Sequence, residues 1–258
     1  MKLYLKFLNV HFKSALQYKT SFILSFIANI FDTLGYCFTI YCLFSKIDNI
    51  GGFNLYEVLL TFAIINFGHS FCSSFFRGID QFDDLIISGG FDKLLIRPQN
   101  ILLQICGEQI SFTKMARFIF STLILIYASI KIEINWSILK LITLLLMIIS
   151  SVIVFLSIFI LSAAYCFITF KGLEVRNVFT DGGKHMAQYP IGIFNKGIIY
   201  FFTFIIPLGF VNYYPLLFLI GKTNNYFVAI SPLITIIYLI PSLFIFYKGV
   251  KKYSSVGS

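Results

Sequence analysis

The sequence predicts an all-α polytopic membrane protein with six transmembrane helices. Hydrophobic residues make up 58% of the 258 residues and charged residues only 12%, a composition outside the usual range of soluble domains. Long uncharged apolar stretches, such as 141–170 and 227–247, separate short segments that hold most of the basic residues. About 20 mostly apolar residues cross the hydrocarbon core of a bilayer. On this basis the spans are expected near 20–44, 54–76, 115–134, 138–169, 189–210 and 227–247.

The distribution of lysine and arginine orients these spans. Sixteen of the 20 basic residues fall before the first span, between the second and third, around the connection between the fourth and fifth, or after the last. The other four are Lys46, Lys131, Lys140 and Lys222. By the positive-inside rule, both termini and the two larger loops are predicted to be cytoplasmic. This topology and anionic lipid account for the net charge of +9, so no nucleic-acid partner is expected.

The first 19 residues are patterned as an amphipathic helix that lies on the cytoplasmic membrane surface. One stripe of the helix is polar, with residues that recur every three or four positions: Lys2, Lys6, Asn9, Lys13 and Gln17. Such a helix buries its apolar side in the acyl boundary and places Lys2, Lys6 and Lys13 among the headgroups. The start has no apolar core typical of a signal peptide, so no removable leader is expected. Two interpretations of the helix stay open, an anchor for the first span or a functional element.

The longest predicted cytoplasmic segment, 77–114, has the most particular pattern. Residues 77–87 favour a helix, and Ser88-Gly89-Gly90 favour its end. Residues 91–96 then predict a short amphipathic turn that Arg97-Pro98 stops. The turn carries four apolar side chains: Phe91, Leu94, Leu95 and Ile96. This indicates a surface that docks on another protein, the alternative being a solvated connector.

The last third of the chain predicts an irregular fifth span. Tyr189-Pro190 is expected to start it, and Ile206-Pro207-Leu208 to break it. Residues 211–226 are too short to cross and too apolar for an open loop, so a re-entrant or interfacial outer segment is expected. Residues 249–258 are expected to form a cytoplasmic tail.

The sequence contains no pattern typical of a catalytic or metal site. His11, His69 and His185 are far apart in the predicted topology, and the five cysteines are scattered in a way that indicates free thiols. Gly221-Lys222-Thr223 resembles the end of a P-loop, but position 216 is leucine where that motif requires glycine. The chain is therefore expected to hold no cofactor and no metal and not to be an enzyme. Any nucleotide would be bound by another chain.

Asp32 is the one acidic residue deep in a predicted span. A carboxylate inside a membrane is a functional candidate, although a structural hydrogen bond to a neighbouring helix is the alternative. Asn66 and His69 on the second span are its candidate partners.

Two stretches resemble the type 2 ABC transporter permeases (the ABC-2 family), in the six-span branch with a separately encoded ATPase. They are 89–104, which contains Arg97-Pro98, and the pattern from Tyr189-Pro190 through Ile206-Pro207-Leu208 to Tyr213-Tyr214-Pro215. The resemblance implies that 1–19 is a connecting helix and that 80–98 is a coupling helix seated on the ATPase. The implied coupling residues are Asp83, Asp84, Phe91, Asp92, Leu95, Arg97 and Pro98.

The resemblance also implies partners and an activity. Two ATPase copies would bind ATP and Mg, and a second permease, identical or homologous, would complete an exporter in a bacterial plasma membrane. Its substrate would be amphipathic, peptide or lipid-like. A proton- or ion-coupled secondary transporter and an intramembrane enzyme are the alternatives.

Small and polar residues on the first two spans predict where the two permeases meet. Such residues let membrane helices approach closely. On the first span they are Gly35 and Thr39, and on the second Asn66, Gly68, His69, Ser70, Ser73 and Ser74.

Overall fold

A computed structural model describes residues 2–169 and 177–254, and these residues form helices joined by short turns. The first nine helices are α1 (Lys2–Gln17), α2 (Lys19–Phe44), α3 (Leu55–Phe75), α4 (Arg77–Asp80), α5 (Phe82–Ile87), α6 (Gly90–Leu95), α7 (Ile101–Glu108), α8 (Met115–Lys131) and α9 (Ile138–Thr169). A π turn, Val178–Gly182, leads into α10 (Gly183–Ala187), and a 3-10 turn follows at Ile191–Ile193.

The remaining elements are more broken. Helix α11 (Lys196–Tyr200) continues as a π turn, Phe201–Ile205, and a second π turn, Gly209–Tyr213, continues as α12 (Tyr214–Leu219). Helix α13 (Tyr226–Ala229) and a 3-10 turn, Ser231–Leu233, then precede α14 (Ile234–Lys252). Lys171 and Arg176, which contribute to the predicted charge bias, and residues 255–258 of the predicted tail lie outside the described residues.

The described helices confirm an all-helical, multi-pass membrane protein without establishing six spans. Four are long and apolar enough to cross a membrane: α2, α3, α9 and the stretch Ser231–Lys252. A fifth span exists if Lys196–Ile205 and Gly209–Leu219, bent by 92°, count as one. Helix α8 has 17 residues, about 25 Å of helix, and ends before the predicted boundary at 134.

The fifth span predicted at 189–210 is not a single helix. Pro190 precedes a separate 3-10 turn, and the helical stretch that begins at Lys196 ends at Ile205. Ile206 is extended because the ring of the following Pro207 disfavours the helical conformation, so the break predicted there is confirmed.

The ends of α3 show why its boundaries agree with the predicted span. Asn54 accepts a hydrogen bond from the Glu57 N–H at 2.9 Å, and the Glu57 carboxylate accepts one from the Asn54 N–H at 2.8 Å. This capping box satisfies two of the free donors at the helix start. Gly51 and Gly52 have φ of 58° and 80°, so the chain can turn there between α2 and α3.

The helix bundle has two ends, defined here as the N-terminal face and the opposite face. The N-terminal face carries α1, α4–α7 and Tyr253, whose ring lies 5.0 Å from that of Phe91. The opposite face carries the connections 45–54, 132–137 and 220–225, where Lys222 donates a hydrogen bond to the Gly52 carbonyl. Both ends of the described chain therefore lie at one face. That this face is cytoplasmic remains a prediction.

Helices α3 and α2 differ in burial within a single chain. Helix α3 is buried on nearly all sides against α8 and α9, and a Cβ on Gly68 would meet the Ser151 backbone at 2.7 Å. The polar stripe of α3 is inside this packing, so the predicted contact of that stripe with a second permease is wrong. Helix α2, in contrast, is largely exposed, and Gly35 and Thr39 stay accessible.

Candidate functional site

The short helices at the N-terminal face pack on one another through backbone contacts. The Gly78 N–H donates to the Gln109 carbonyl at 3.2 Å, and the Ser111 N–H donates to the Ser74 carbonyl at 3.0 Å. A Cβ on Gly78 would overlap the Ile105 carbonyl group, so glycine is needed where α4 crosses α7. We call α4–α7 the platform.

An aromatic cluster joins the platform to the ends of two long helices. Phe82 and Phe91 lie 5.1 Å apart, and Phe167 of α9 and Phe246 of α14 lie 5.2 and 5.9 Å from Phe82. Tyr253 closes the cluster beside Phe91. Edge-to-face rings at these distances favour one fixed geometry. The platform therefore cannot shift freely against α9 and α14.

The structure divides the predicted coupling residues into buried and accessible groups. Phe91 is 0% exposed and Asp83 is 2% exposed, so the interpretation of Phe91 as an apolar anchor for a partner is corrected. Phe91 was expected on the surface because its sequence neighbours form an amphipathic turn, whereas the cluster of aromatic rings buries it. The accessible residues are Asp84, Leu95, Arg97 and Pro98, with Asp92 half-buried.

Two isoleucines complete the accessible edge of the platform. Ile96 is 84% exposed and Ile87 is 59% exposed. The sequence analysis included Ile96 in the apolar turn but missed Ile87. The helical spacing of Asp84 and Ile87, three residues apart, is the signal that places them on one face. The exposed edge thus combines apolar and charged side chains.

Helix α1 is fixed on the platform by one of its sides. The Tyr4 hydroxyl donates to the Phe75 carbonyl at 2.6 Å, and His11 Nε2 lies 2.9 Å from the Gly107 carbonyl oxygen. Lys6 and Lys13 are exposed, as interfacial lysines would be, while the Lys2 side chain lies outside the described part of the chain. The placement of α1 in a membrane interface remains a prediction.

Burial shifts the pKa of several groups near the platform. It raises the pKa of the Cys106 thiol to about 12 and also raises the pKa of the Tyr4 hydroxyl, so both groups stay protonated at neutral pH. Burial, followed by the charge of Arg77, lowers the pKa of Lys114 to about 8. Among the described residues, no group of three His, Cys, Asp or Glu could hold a metal ion.

A second group of functional candidates lies at the side of the bundle, partly buried among α2, α3, α8 and α10. Asp32 of α2 forms an ion pair with Arg117 of α8, and Asp32 Oδ2 lies 3.1 Å from Arg117 Nη2. His69 of α3 lies 3.7 Å from the carboxylate of Asp181 in the π turn before α10. The Asn66 amide donates to the Phe62 carbonyl of its own helix. Asp32 is therefore not isolated, and its partner is neither Asn66 nor His69.

Lys184 joins this group from α10. It is 4% exposed, and its Nζ lies 5.8 Å from the ring centroid of Tyr36 on α2, which also contacts His185 at 5.2 Å. The charges of Arg117, Asp181 and Asp32 act on its ammonium group. Lys184, predicted at or just beyond the connection between the fourth and fifth spans, is therefore not part of an exposed loop, because α10 packs against α3 and the side chain of Tyr36. We call Asp32, Arg117, His69, Asp181 and Lys184 the ionic cluster.

The segment after α10 continues along α3 to the opposite face. The Thr61 hydroxyl donates to the Gln188 carbonyl at 2.9 Å, and the Asn212 amide donates to the Ala187 carbonyl at 3.1 Å. A Cβ on Gly51 would meet the Ile193 side chain at 2.7 Å. Lys196, three residues later, therefore lies near the opposite face and not beside the platform, contrary to the predicted charge distribution.

The fold and these two sites define a multi-pass membrane protein with a structured platform at one face and a partly buried cluster of charges at the side of the bundle. Comparison with known families gives a match to the model of the ABC-2 family transporter proteins over residues 16–257. The chain belongs to the ABC-2 family, as its loop and fifth-span motifs indicated. No curated protein and no solved structure matches it.

Proposed function

We propose that this chain is the permease subunit of an ATP-driven ABC exporter. It moves an amphipathic, peptide or lipid-like substrate out of the cytoplasm, and a separate subunit hydrolyses ATP. The observation that carries the proposal is the platform. Its outer edge exposes Ile87, Leu95 and Ile96, while its inner side packs on α9 and α14. An element with one rigid attachment and one free apolar edge is suited to transmit movement.

The mechanism follows from this two-sided packing. Two ATPase copies bind ATP and Mg and close on each other, and each carries a platform with it. Because Phe82 and Phe91 interlock with Phe167 and Phe246, the platform moves α9 and α14 as a unit. Packed interfaces respond to such a push by rearranging between discrete states. The 80–98 segment is in this proposal the coupling helix.

A second permease completes the exporter, and the exposed surface of α2 supports it as the contact. Gly35 and Thr39 lie on this surface, and a Cβ on Gly35 would meet no atom within 4 Å. Small residues let helices of two chains approach closely in a membrane. The permease contact therefore moves from the two predicted spans to α2 alone.

An apolar pocket beside the bend of the fifth span supports an apolar substrate part. It lies between α9, α14 and Ile205–Ile206, and includes Leu161 and Tyr165. The Tyr238 hydroxyl donates a hydrogen bond to the Ile205 carbonyl at its wall. Ligand pockets commonly combine an apolar lining with a few polar groups.

The ionic cluster favours a second candidate function, a proton- or ion-coupled secondary transporter. Ionisable groups inside a membrane commonly mark ion pathways. The two candidates differ in their energy source. Transport by the permease with its ATPase should stop when ATP is withheld and should persist when proton and sodium gradients are dissipated. The reverse result would favour the secondary transporter.

The platform is tested by its binding to an ATPase encoded beside this gene. The double substitution Ile87→Ala/Ile96→Ala removes two exposed apolar side chains, and we expect the affinity for the ATPase to fall about tenfold or more. Val10→Ala is the matched control, because Val10 is an exposed apolar residue of the same face outside the platform. Affinity is measured in nanodiscs by biolayer interferometry. Equal affinity of the double variant and the control variant would contradict the proposed coupling role.

A further inference from the structure

We propose that the ionic cluster binds the anionic headgroup of an amphiphilic substrate, a phosphate or carboxylate, with Lys184 as its main anchor. The inference rests on the proposed transport function and names the headgroup chemistry of the substrate.

One buried cation of the cluster has no direct contact with a carboxylate. Asp32 is paired with Arg117, and Asp181 lies 3.7 Å from the imidazole of His69, which carries a charge only when it is protonated. Among the residues that the structure describes, no carboxylate lies within ion-pair distance of Lys184, which is 4% exposed. A buried charge is costly unless it is paired, so this ammonium group favours an anion.

Unpartnered polar groups surround the same place. Within the described chain, His69 Nδ1 and Arg117 Nε are buried without a hydrogen-bond partner. The guanidinium group can only donate, whereas His69 Nδ1 donates when the ring is doubly protonated or when Nε2 carries no proton. A phosphate or carboxylate offers several acceptor lone pairs to such donors and forms strong hydrogen bonds with charged ones. A cationic headgroup would meet the positive charges of Arg117 and Lys184, and the Asp32 carboxylate is already paired with Arg117.

The cluster is accessible from the side of the bundle, next to an apolar surface. The side chains of Asp32 and Asp181 are 41% and 56% exposed, so the charged interior opens between α2 and the start of α10. On α2, Phe31, Leu34 and Phe38 expose an apolar surface that begins one residue before Asp32. An amphiphile can place its headgroup at Lys184 and its alkyl chain along these side chains.

The test compares three probes with equal alkyl chains: dodecyl phosphate, dodecyltrimethylammonium and dodecyl maltoside. The permease–ATPase complex is held in nanodiscs of zwitterionic phosphatidylcholine, and binding is measured by displacement of a fluorescent dodecyl phosphate. We expect dodecyl phosphate to bind at least about tenfold more tightly than the other two. Equal displacement by the ammonium probe would overturn the proposal.

Variants locate the site. Lys184→Gln removes the charge and keeps a polar side chain, and we expect it to weaken binding of dodecyl phosphate about tenfold or more. Lys184→Arg should restore most of the affinity, and Lys131→Gln, an exposed lysine at the other end of α8, should have no effect. The thermal midpoint of each variant shows whether it is folded. Unchanged affinity in a folded Lys184→Gln protein would refute the assignment.

A final comparison distinguishes binding of a substrate from binding of a bilayer lipid. It also distinguishes failure of this inference from failure of the proposed function on which it rests. Phosphatidylglycerol in the nanodisc should compete poorly with dodecyl phosphate at equal mole fraction. Complete displacement by phosphatidylglycerol would overturn the assignment to substrate. If a probe or variant comparison fails while the ATPase still docks at Ile87 and Ile96, the anion site is rejected and the proposed transport function is not. Loss of the proposed function would instead appear as absent ATPase docking in the unsubstituted protein.

Discussion

Replacement of Phe91 by alanine tests whether this residue stabilises the bundle or contacts a partner. The side chain is 0% exposed and contacts Phe82, Phe167 and Tyr253 at ring distances of 5.1, 5.6 and 5.0 Å. Truncation of a buried phenylalanine removes its apolar contacts and leaves a cavity, at a cost of about 3–5 kcal/mol. For a chain of this size, each kcal/mol of lost stability lowers the midpoint of thermal unfolding by roughly 2–4 °C, so we expect the midpoint of Phe91→Ala to fall by about 6–20 °C.

The assay is thermal unfolding of the purified permease in nanodiscs, followed by ATPase binding at a temperature where all variants are folded. Phe91→Leu keeps most of the volume and should cost less than about 1.5 kcal/mol. Ile96→Ala, exposed on the same platform, should leave the midpoint unchanged and weaken binding. A folded Phe91→Ala protein with an unchanged midpoint and lost ATPase binding would refute the reasoning.

Three further substitutions test other contacts. Gly78→Ala would force α4 away from α7, so we expect intact membrane insertion and strongly reduced substrate-stimulated ATP hydrolysis. Normal hydrolysis would show that the close contact of α4 with α7 is not needed for coupling. A Cβ on Gly35 would meet no atom of the described chain within 4 Å, so Gly35→Leu should reduce cysteine cross-linking between permeases along α2 without lowering the thermal midpoint. Undiminished cross-linking would argue against this contact. Arg117→Ala leaves Asp32 without its ion-pair partner and should lower the free energy of unfolding by about 1–3 kcal/mol. The added substitution Asp32→Asn should recover part of this loss, and additive losses would mean that the two residues are not coupled.

Most of the local structure could be predicted from the sequence because it depends on near neighbours. The apolar lengths of α2, α3 and α9 required helices, since a membrane offers no other partner for backbone groups. Gly89, with φ of 66°, separates α5 from α6 where the sequence predicted a helix end. The break at Ile206–Leu208 likewise follows from proline chemistry.

Burial within the platform could not be predicted in the same way. A short amphipathic turn shows which residues share a side, but not whether that side faces solvent, lipid or another helix. Phe91 is covered by residues from α9 and α14, far away in the sequence, and its role changed from partner contact to core packing. The small-residue stripe of α3 changed for the same reason, because α9 fills the place expected for a second permease.

The sequence by itself determined the class of this protein, the main membrane helices and the family motifs. Each of these depends on composition or on residues within a few turns of one another. Only the tertiary structure decided which charges meet. The sequence grouped Arg117 and Lys184 with the basic connecting segments and gave Asn66 and His69 as candidate partners of Asp32, whereas the packing of α8 and α10 beside α2 brings Arg117 to Asp32 and Lys184 to Tyr36. Ion pairing and burial of charge depend on distance in space, and that distance is set by the packing of helices remote in the chain.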